Sequence, residues 1–155
     1  MHDTTLLQLI EDDIGPAEQL QALLREEYTA LRGRDMQLLE NILAHKQSLI
    51  VQLGQHGRRR SELLASLGLQ PDAEGLAQLA ETSVLGQTLV ERGEHLASIL
   101  AECQTINEQN GRAIQMQQFV TANQLKILSG GETPSLYTAR GATARLATVR
   151  AFSQA

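Results

Sequence analysis

The side chains that could bind a metal or act as nucleophiles are few and scattered in this sequence. The four histidines are His2, His45, His56 and His95, and no two of them lie three or four residues apart, the spacing that brings two ligands onto one helix face. Cys103 is the only cysteine. Because zinc and iron sites need several convergent ligands, we expect no metal centre and no cofactor.

Motifs for covalent or acid–base catalysis are also missing. The sequence has neither a G-x-S-x-G element nor a glycine-rich phosphate loop. Cys103 falls in an apolar periodic row, where cysteine is usually a small buried hydrophobic residue. Carboxylate pairs such as Asp12-Asp13 and Glu26-Glu27 are typical of solvated helix faces, since acid–base catalysis needs a cleft. We therefore expect no enzymatic activity.

A single lysine and one run of three arginines call for partners of opposite charge. Lys46 lies within an apolar row, and a buried lysine is costly unless it reaches solvent or a carboxylate. Asp13 or Glu27 is the expected carboxylate, in an ion pair that sets helix register; a partner contact is the alternative. The run Arg58–Arg60 favours surface pairing or a protein contact, since interleaved aromatic residues for nucleic acid are missing.

Composition and charge favour a helical protein that binds proteins. The chain has 155 residues, is 42% hydrophobic but only 3% aromatic, and has a net charge of −5. Nucleic acid and anionic membranes need a basic face, so neither is an expected partner. Residues 1–132 carry 10 Lys or Arg and 18 Asp or Glu, whereas 133–155 carry three Arg and no acid. An acidic body with a basic tail predicts two parts with different tasks.

Sequence features also bear on location. A single cysteine cannot form an intrachain disulfide, so an oxidising compartment is not required. No apolar run reaches the length of a membrane span, and the acidic N-terminal segment does not resemble a secretory signal. We expect a cytoplasmic protein without stable membrane insertion.

Periodic apolar residues predict a hairpin of two long helices. The first helix is expected over 4–32, with a kink or short break at Gly15-Pro16, because proline disrupts a helix interior. Gly33 suits the left-handed position after a helix, and Asp35 suits the N-cap of the next one, over 36–67. So short a connection favours antiparallel helices.

A third long helix is expected over 82–129. The loop 67–75 precedes it and includes a short helical turn over 73–81, capped by Asp72. Thr82 or Ser83 should cap the long helix. At about 70 Å this helix is longer than the hairpin, so it must overhang the hairpin, bend or break, and Gly111 is a candidate site for a kink. From residue 107 its periodic positions become polar, and we expect this half to face water, a partner or another copy.

The predicted fold is all-α: an antiparallel long-helix hairpin plus a long third helix, forming a three-helix coiled-coil-like bundle over 1–129. Residues 130–155 are predicted to form a linker and a flexible amphipathic tail that orders on a partner. Tyr137 either packs back on the bundle or anchors a linear motif.

Two segments resemble the FlgN family of flagellar export chaperones. NEQNGRAI supplies Asn107, Asn110 and Gly111, and GGETPSLYTARG supplies Pro134, Leu136, Tyr137 and Gly141. The order and spacing of these elements, with the early helices, extend the resemblance over nearly the whole chain.

The resemblance implies a cytoplasmic chaperone that uses no ATP. It would bind hook-associated proteins of the hook–filament junction, prevent their premature assembly and deliver them to the type III export gate and its apparatus. It also implies capture by the C-terminal part and gate docking by Tyr137. The sequence beyond Gly141 is only weakly apolar. It therefore leaves open whether the tail or the polar half of the third helix contributes most of the substrate binding.

An underfilled helical surface can be completed by a partner's amphipathic helix. The expected substrate-binding residues are Ile114, Phe119, Val120, Leu136, Ala142, Leu146, Val149 and Phe152. The alternative is a self-associating coiled-coil structural or regulatory protein, and a homodimer fits either interpretation.

Overall fold

The structure, a computed structural model, describes residues 1–129, with side chains described at 1–120, 122 and 123. This part of the chain consists of four helices without a strand. They are α1 (His2–Gly33), α2 (Met36–Ser66), α3 (Ala73–Thr82) and α4 (Gly86–Ser129). The predicted all-α fold is confirmed, and every prediction for residues 130–155 lies outside the described residues.

Helices α1 and α2 form the predicted antiparallel hairpin. Lys46 near the start of α2 contacts Glu27 near the end of α1, and His56 further along α2 contacts Asp13 further back in α1. Asp35 begins α2 as predicted, because its carboxylate accepts a hydrogen bond from the Leu38 backbone N–H at 3.1 Å.

Helix α4 runs parallel to α1 along its other side. Glu11 pairs with Arg92, the Ala17 carbonyl accepts from Cys103, and the Leu31 carbonyl accepts from Gln117, so positions in both helices advance together. Helix α1 therefore packs against both long neighbours. The apolar core is formed by Leu6, Ile10, Ile14, Ala17, Leu20, Leu23, Leu24, Ala30, Ile42, Leu49, Ile50, Leu53, Leu64, Leu89, Leu96, Ile99 and Cys103.

The predicted overhang of the long C-terminal helix is present. Helix α4 has 44 residues and α1 has 32, which correspond to about 66 and 48 Å. Gln117 bonds to Leu31 near the end of α1, so the remaining residues of α4 extend past the hairpin. Helix α4 is continuous through Gly111, so this glycine does not break it.

The expected start of that helix at residue 82 is wrong, because Thr82 belongs to α3. Ser83 has an extended backbone that ends α3, and its hydroxyl accepts from the Leu85 N–H at 3.0 Å. A Cβ on Gly86 would lie 2.0 Å from the Ala80 carbonyl oxygen, so only glycine fits where α4 begins.

The predicted helical turn over 73–81 is a full helix of 10 residues and makes the described part a four-helix rather than a three-helix assembly. Asp72 caps it as predicted, accepting from Glu74 at 3.0 Å and Gly75 at 3.2 Å. Helix α3 packs on α4, where a Cβ on Gly93 would meet the Leu76 side chain.

Helix α1 continues through Pro16 without the expected break. Proline removes one backbone donor, but the neighbouring Ile14 and Ala17 are buried against the core. Packing of these flanking residues therefore holds the helix together at a site where local propensity alone predicts its end.

The left-handed residue after α1 is Arg34, with φ 54°, and not Gly33 as the sequence suggested. The Arg34 N–H bonds to the Leu31 carbonyl and the Asp35 N–H to the Ala30 carbonyl, the two bonds of a Schellman motif. Asp35 follows directly as the N-cap of α2, so the left-handed residue lies one position beyond the glycine.

Arg34→Gly is expected to stabilise the fold by about 1 kcal/mol, since glycine adopts left-handed backbone without the steric cost that other residues incur. Gly33→Ala is the matched control and should leave stability unchanged or slightly raised. Urea unfolding followed by circular dichroism measures both. A loss of stability in Gly33→Ala with no gain in Arg34→Gly would contradict this placement.

Candidate partner-binding surface

One buried carboxylate joins the three long helices. Glu27 of α1 accepts hydrogen bonds from the Lys46 ammonium of α2 at 3.2 and 3.3 Å and from the Asn110 amide of α4 at 2.8 Å. All three side chains are buried. A buried charge is tolerated only when it is paired and hydrogen-bonded, so these contacts specify how α2 and α4 are placed on α1.

The predicted partnership of Lys46 is thereby confirmed for Glu27, whereas Asp13 has other partners. Asp13 is fully buried and contacts the His56 ring and the Arg60 guanidinium, both from α2. The sequence carried a signal for this second cluster, because His56 and Arg60 follow Lys46 in the same periodic row. Within the run Arg58–Arg60, only Arg60 is partly buried while the other two arginines are exposed.

Residues 107–117 of the polar half of α4 pack on α1, contrary to the expectation that this half faces water, a partner or another copy. Asn107 and Asn110 are buried. Asn110 also donates to the Leu24 carbonyl at 2.9 Å, and Gln117 donates to the Leu31 carbonyl at 2.8 Å. Backbone carbonyls of α1 thus accept a second hydrogen bond from amide side chains of α4. These polar contacts take the place of an apolar stripe on this part of α4.

This arrangement turns large apolar side chains outward. Met116, Phe119 and Val120 are 64%, 61% and 39% exposed. Gln117 faces α1, and Phe119 lies two residues later, about 200° around the helix, so it points away from α1. An exposed apolar group on a helix that extends past its hairpin is a suitable surface for another protein.

These observations locate some of the predicted substrate-binding residues, and their role in binding stays a prediction. Phe119 and Val120 lie on the exposed face, whereas Ile114 is partly buried and lies about 200° around the helix from Met116. Met116 was missed, although methionine is common on adaptable binding surfaces. The remaining predicted residues lie outside the described residues: Leu136, Tyr137, Ala142, Leu146, Val149 and Phe152.

Cys103 is a core residue, as the sequence predicted. Its thiol is fully buried and donates to the Ala17 carbonyl at 3.7 Å. Burial, with a contribution from Glu102, raises the pKa of the Cys103 thiol to about 11, so the thiol stays neutral at physiological pH.

An ion pair at the opposite end of α1 adds to the helix contacts. The Arg92 guanidinium donates to Glu11 at 2.8 and 3.0 Å and lowers the pKa of the Glu11 carboxyl. Throughout residues 1–129, His, Cys, Asp and Glu side chains form no group of three suited to a metal ion. No helix in the same range is long and apolar enough to span a membrane.

Comparison with known proteins gives one family and one similar structure. The family model described as FlgN protein matches residues 1–145. A crystal structure from Pseudomonas aeruginosa, assigned as a flagella synthesis protein FlgN, is 43% identical in sequence. The match has a TM-score of 0.68 and covers 71% of this chain and 86% of that chain. No match was found among curated proteins.

The contribution of the Glu27–Lys46 pair can be measured by a double-mutant cycle. Lys46→Met alone leaves a buried carboxylate without its cation and should cost about 3–5 kcal/mol of unfolding free energy. Adding Glu27→Gln removes that charge and should recover most of the loss, so the two effects are strongly non-additive. Additive effects in denaturant unfolding would show that the pair does not act as a unit.

Proposed function

We propose, since this chain belongs to the FlgN family, that it is a cytoplasmic flagellar export chaperone. In this proposal it binds hook-associated proteins of the hook–filament junction, prevents their premature assembly and delivers them to the type III export gate. The similarity to a flagella synthesis protein supports a role in the flagellum. The specific partners are inferred from the family resemblance.

The observation that carries the binding role is the exposure of Met116, Phe119 and Val120 at 64%, 61% and 39%. These residues lie close together on a helix whose preceding turns are fixed on α1 by Asn110 and Gln117. A preorganised apolar face loses little conformational entropy when it binds an amphipathic helix, and so favours capture of a partner's helix.

The tail is proposed to share in capture. Ala142, Leu146, Val149 and Phe152 have amphipathic spacing, and Leu136 lies in the preceding linker. Ordering of such a segment on a partner reduces affinity, and the resulting moderate affinity suits a chaperone that must release its cargo. Tyr137 is proposed to dock on the export gate, because an aromatic side chain offers a large contact area at low entropic cost.

The proposed role requires no chemistry from the chaperone itself. FlgN is a non-enzymatic, flagellum-related family. The neutral buried thiol of Cys103 and the internally paired carboxylates Asp13 and Glu27 support a structural use of these groups. That the chain acts without a cofactor and without ATP is part of the proposal.

The second candidate is a self-associating coiled-coil protein, because the same exposed face of α4 could pair with a second copy. The two functions separate by measurement of mass across protein concentration. A stable oligomer that does not bind hook-associated proteins would favour self-association and would contradict the chaperone proposal.

Phe119→Asp should weaken capture of purified hook-associated proteins at least tenfold, because a charge replaces an exposed apolar contact. Val51→Asp is the matched control, since Val51 is also exposed but lies on α2, away from this face. Calorimetric titration measures affinity, and circular dichroism confirms that both variants remain folded. Equal affinities of Phe119→Asp and the control would remove α4 from the capture surface.

The same titration separates capture from gate docking. Tyr137→Ala should retain capture and weaken binding of the loaded chaperone to the cytoplasmic domain of the export gate. Unchanged gate binding would remove the proposed role of Tyr137 without affecting the proposed capture surface.

A further inference from the structure

Two rows of residues face each other across the gap between α2 and α4, and we call this gap the α2–α4 seam. On α2 and on α4 the members of each row are spaced by seven residues, so each row keeps to one side of its helix. The α2 row is Leu64, Gly57, Ile50, Leu43 and Met36, and the α4 row is Gly93, Leu100, Asn107 and Ile114.

One end of the seam is covered by this protein's own short helix. Leu64 and Gly57 on one side and Gly93 and Leu100 on the other line a cavity of about 300 Å³. Leu76 and Ala77 of α3 line the same cavity. Helix α3, of 10 residues, packs on α4 and thus lies beside this end of the seam.

The other end of the seam is open among the residues that the structure describes. Exposure along the α2 row rises from 4% at Leu64 to 43% at Leu43 and 66% at Met36. Lys46 and Asn110 both contact Glu27 and therefore lie at one level. One turn further on, Leu43 of α2 and Ile114 of α4 therefore lie at a similar level along α1, at the open end.

We propose that residues 142–152 of this chain dock as a short helix on the open end of the α2–α4 seam. Ala142, Leu146 and Val149 have the spacing of one helical face, which matches a narrow apolar seam. Such docking buries Leu43 and Met36, large apolar residues that are otherwise exposed.

Charge complementarity favours this occupant. Glu40 lies three residues from Leu43, and Glu108 follows Asn107, so both carboxylates flank the seam. Neither is in an ion pair with any side chain in the described part of the chain. Residues 133–155 carry three arginines and no acid, so the segment that would dock is purely basic.

The connection is long enough for docking within one molecule. From the end of α4 at Ser129 back to Ile114 is 15 residues, or about 22 Å along the helix. Residues 130–141 can span up to about 40 Å when extended, so the segment reaches the seam with length to spare. A partner that binds residues 142–152 must then displace them from the seam, which lowers its apparent affinity.

The inference concerns this chain alone and holds whether or not it binds flagellar proteins. It is tested on the full chain with a spin label at Ala144→Cys in a Cys103→Ala background, by paramagnetic broadening of amide signals. Ala144 lies about 200° around the helix from Ala142, so the label stays off the docking face. We expect broadening centred on Met36, Leu43 and Ile114. Broadening that is absent, uniform or centred elsewhere would overturn the proposal.

Two controls establish that the contact is specific and internal. Leu43→Asp should abolish the broadening, whereas Val51→Asp, on an exposed part of α2 outside the α2 row, should leave it unchanged. Equal broadening in both variants would contradict docking on the seam. Mixing spin-labelled protein with isotope-labelled protein that lacks the spin label should give no broadening, and broadening at the seam in that mixture would show that a second copy occupies it.

Discussion

The buried carboxylate of Glu27 is the contact on which the arrangement of the long helices depends. It accepts hydrogen bonds from Lys46 of α2 and from Asn110 of α4. A single group of α1 therefore specifies the position of both neighbouring helices along its axis. Apolar packing alone tolerates a shift of one helical turn more readily than a buried charge tolerates the loss of its partners. The cluster of Asp13 with His56 and Arg60 adds a second fixed level between α1 and α2.

The polar contacts of α4 also explain why this helix presents a surface. Asn110 and Gln117 use backbone carbonyls of α1 as acceptors and hold the helix while contributing little apolar area. The large apolar residues of the same stretch therefore remain outside the core. In this member of the FlgN family, a helix attached through amide groups exposes Met116 and Phe119, which belong to the surface proposed to bind a partner, on the side away from the scaffold.

Much of the scaffold could be predicted from the sequence because its apolar rows repeat over many turns. The rows of α1 and α2, the N-caps Asp35 and Asp72, and the pairing of Lys46 with one of two carboxylates followed from spacing and local chemistry. These features depend on residues a few positions apart or on the cost of burying a charge.

Other features depend on contacts that spacing does not specify. The polarity of Asn110 suggested solvent exposure, but its amide is buried because Glu27 and the Leu24 carbonyl are present on α1. The left-handed residue is Arg34 and not Gly33, although glycine adopts this conformation more easily, so local propensity did not identify the residue at which α1 ends. The exposed Met116 was missed because a helical row does not show which of its residues a neighbouring helix will cover.

Hydrogen exchange in Asn110→Ala measures whether amide side chains hold residues 107–117 of α4 on α1. Loss of the Asn110 amide leaves Glu27 and the Leu24 carbonyl without a hydrogen-bond donor from α4. We expect faster exchange of backbone amides over 107–120, because local opening of this segment no longer has to break the hydrogen bonds of Asn110, and unchanged exchange over 89–103. If the variant exchanged at the same rates as the unaltered protein in both segments, this role of Asn110 would be contradicted.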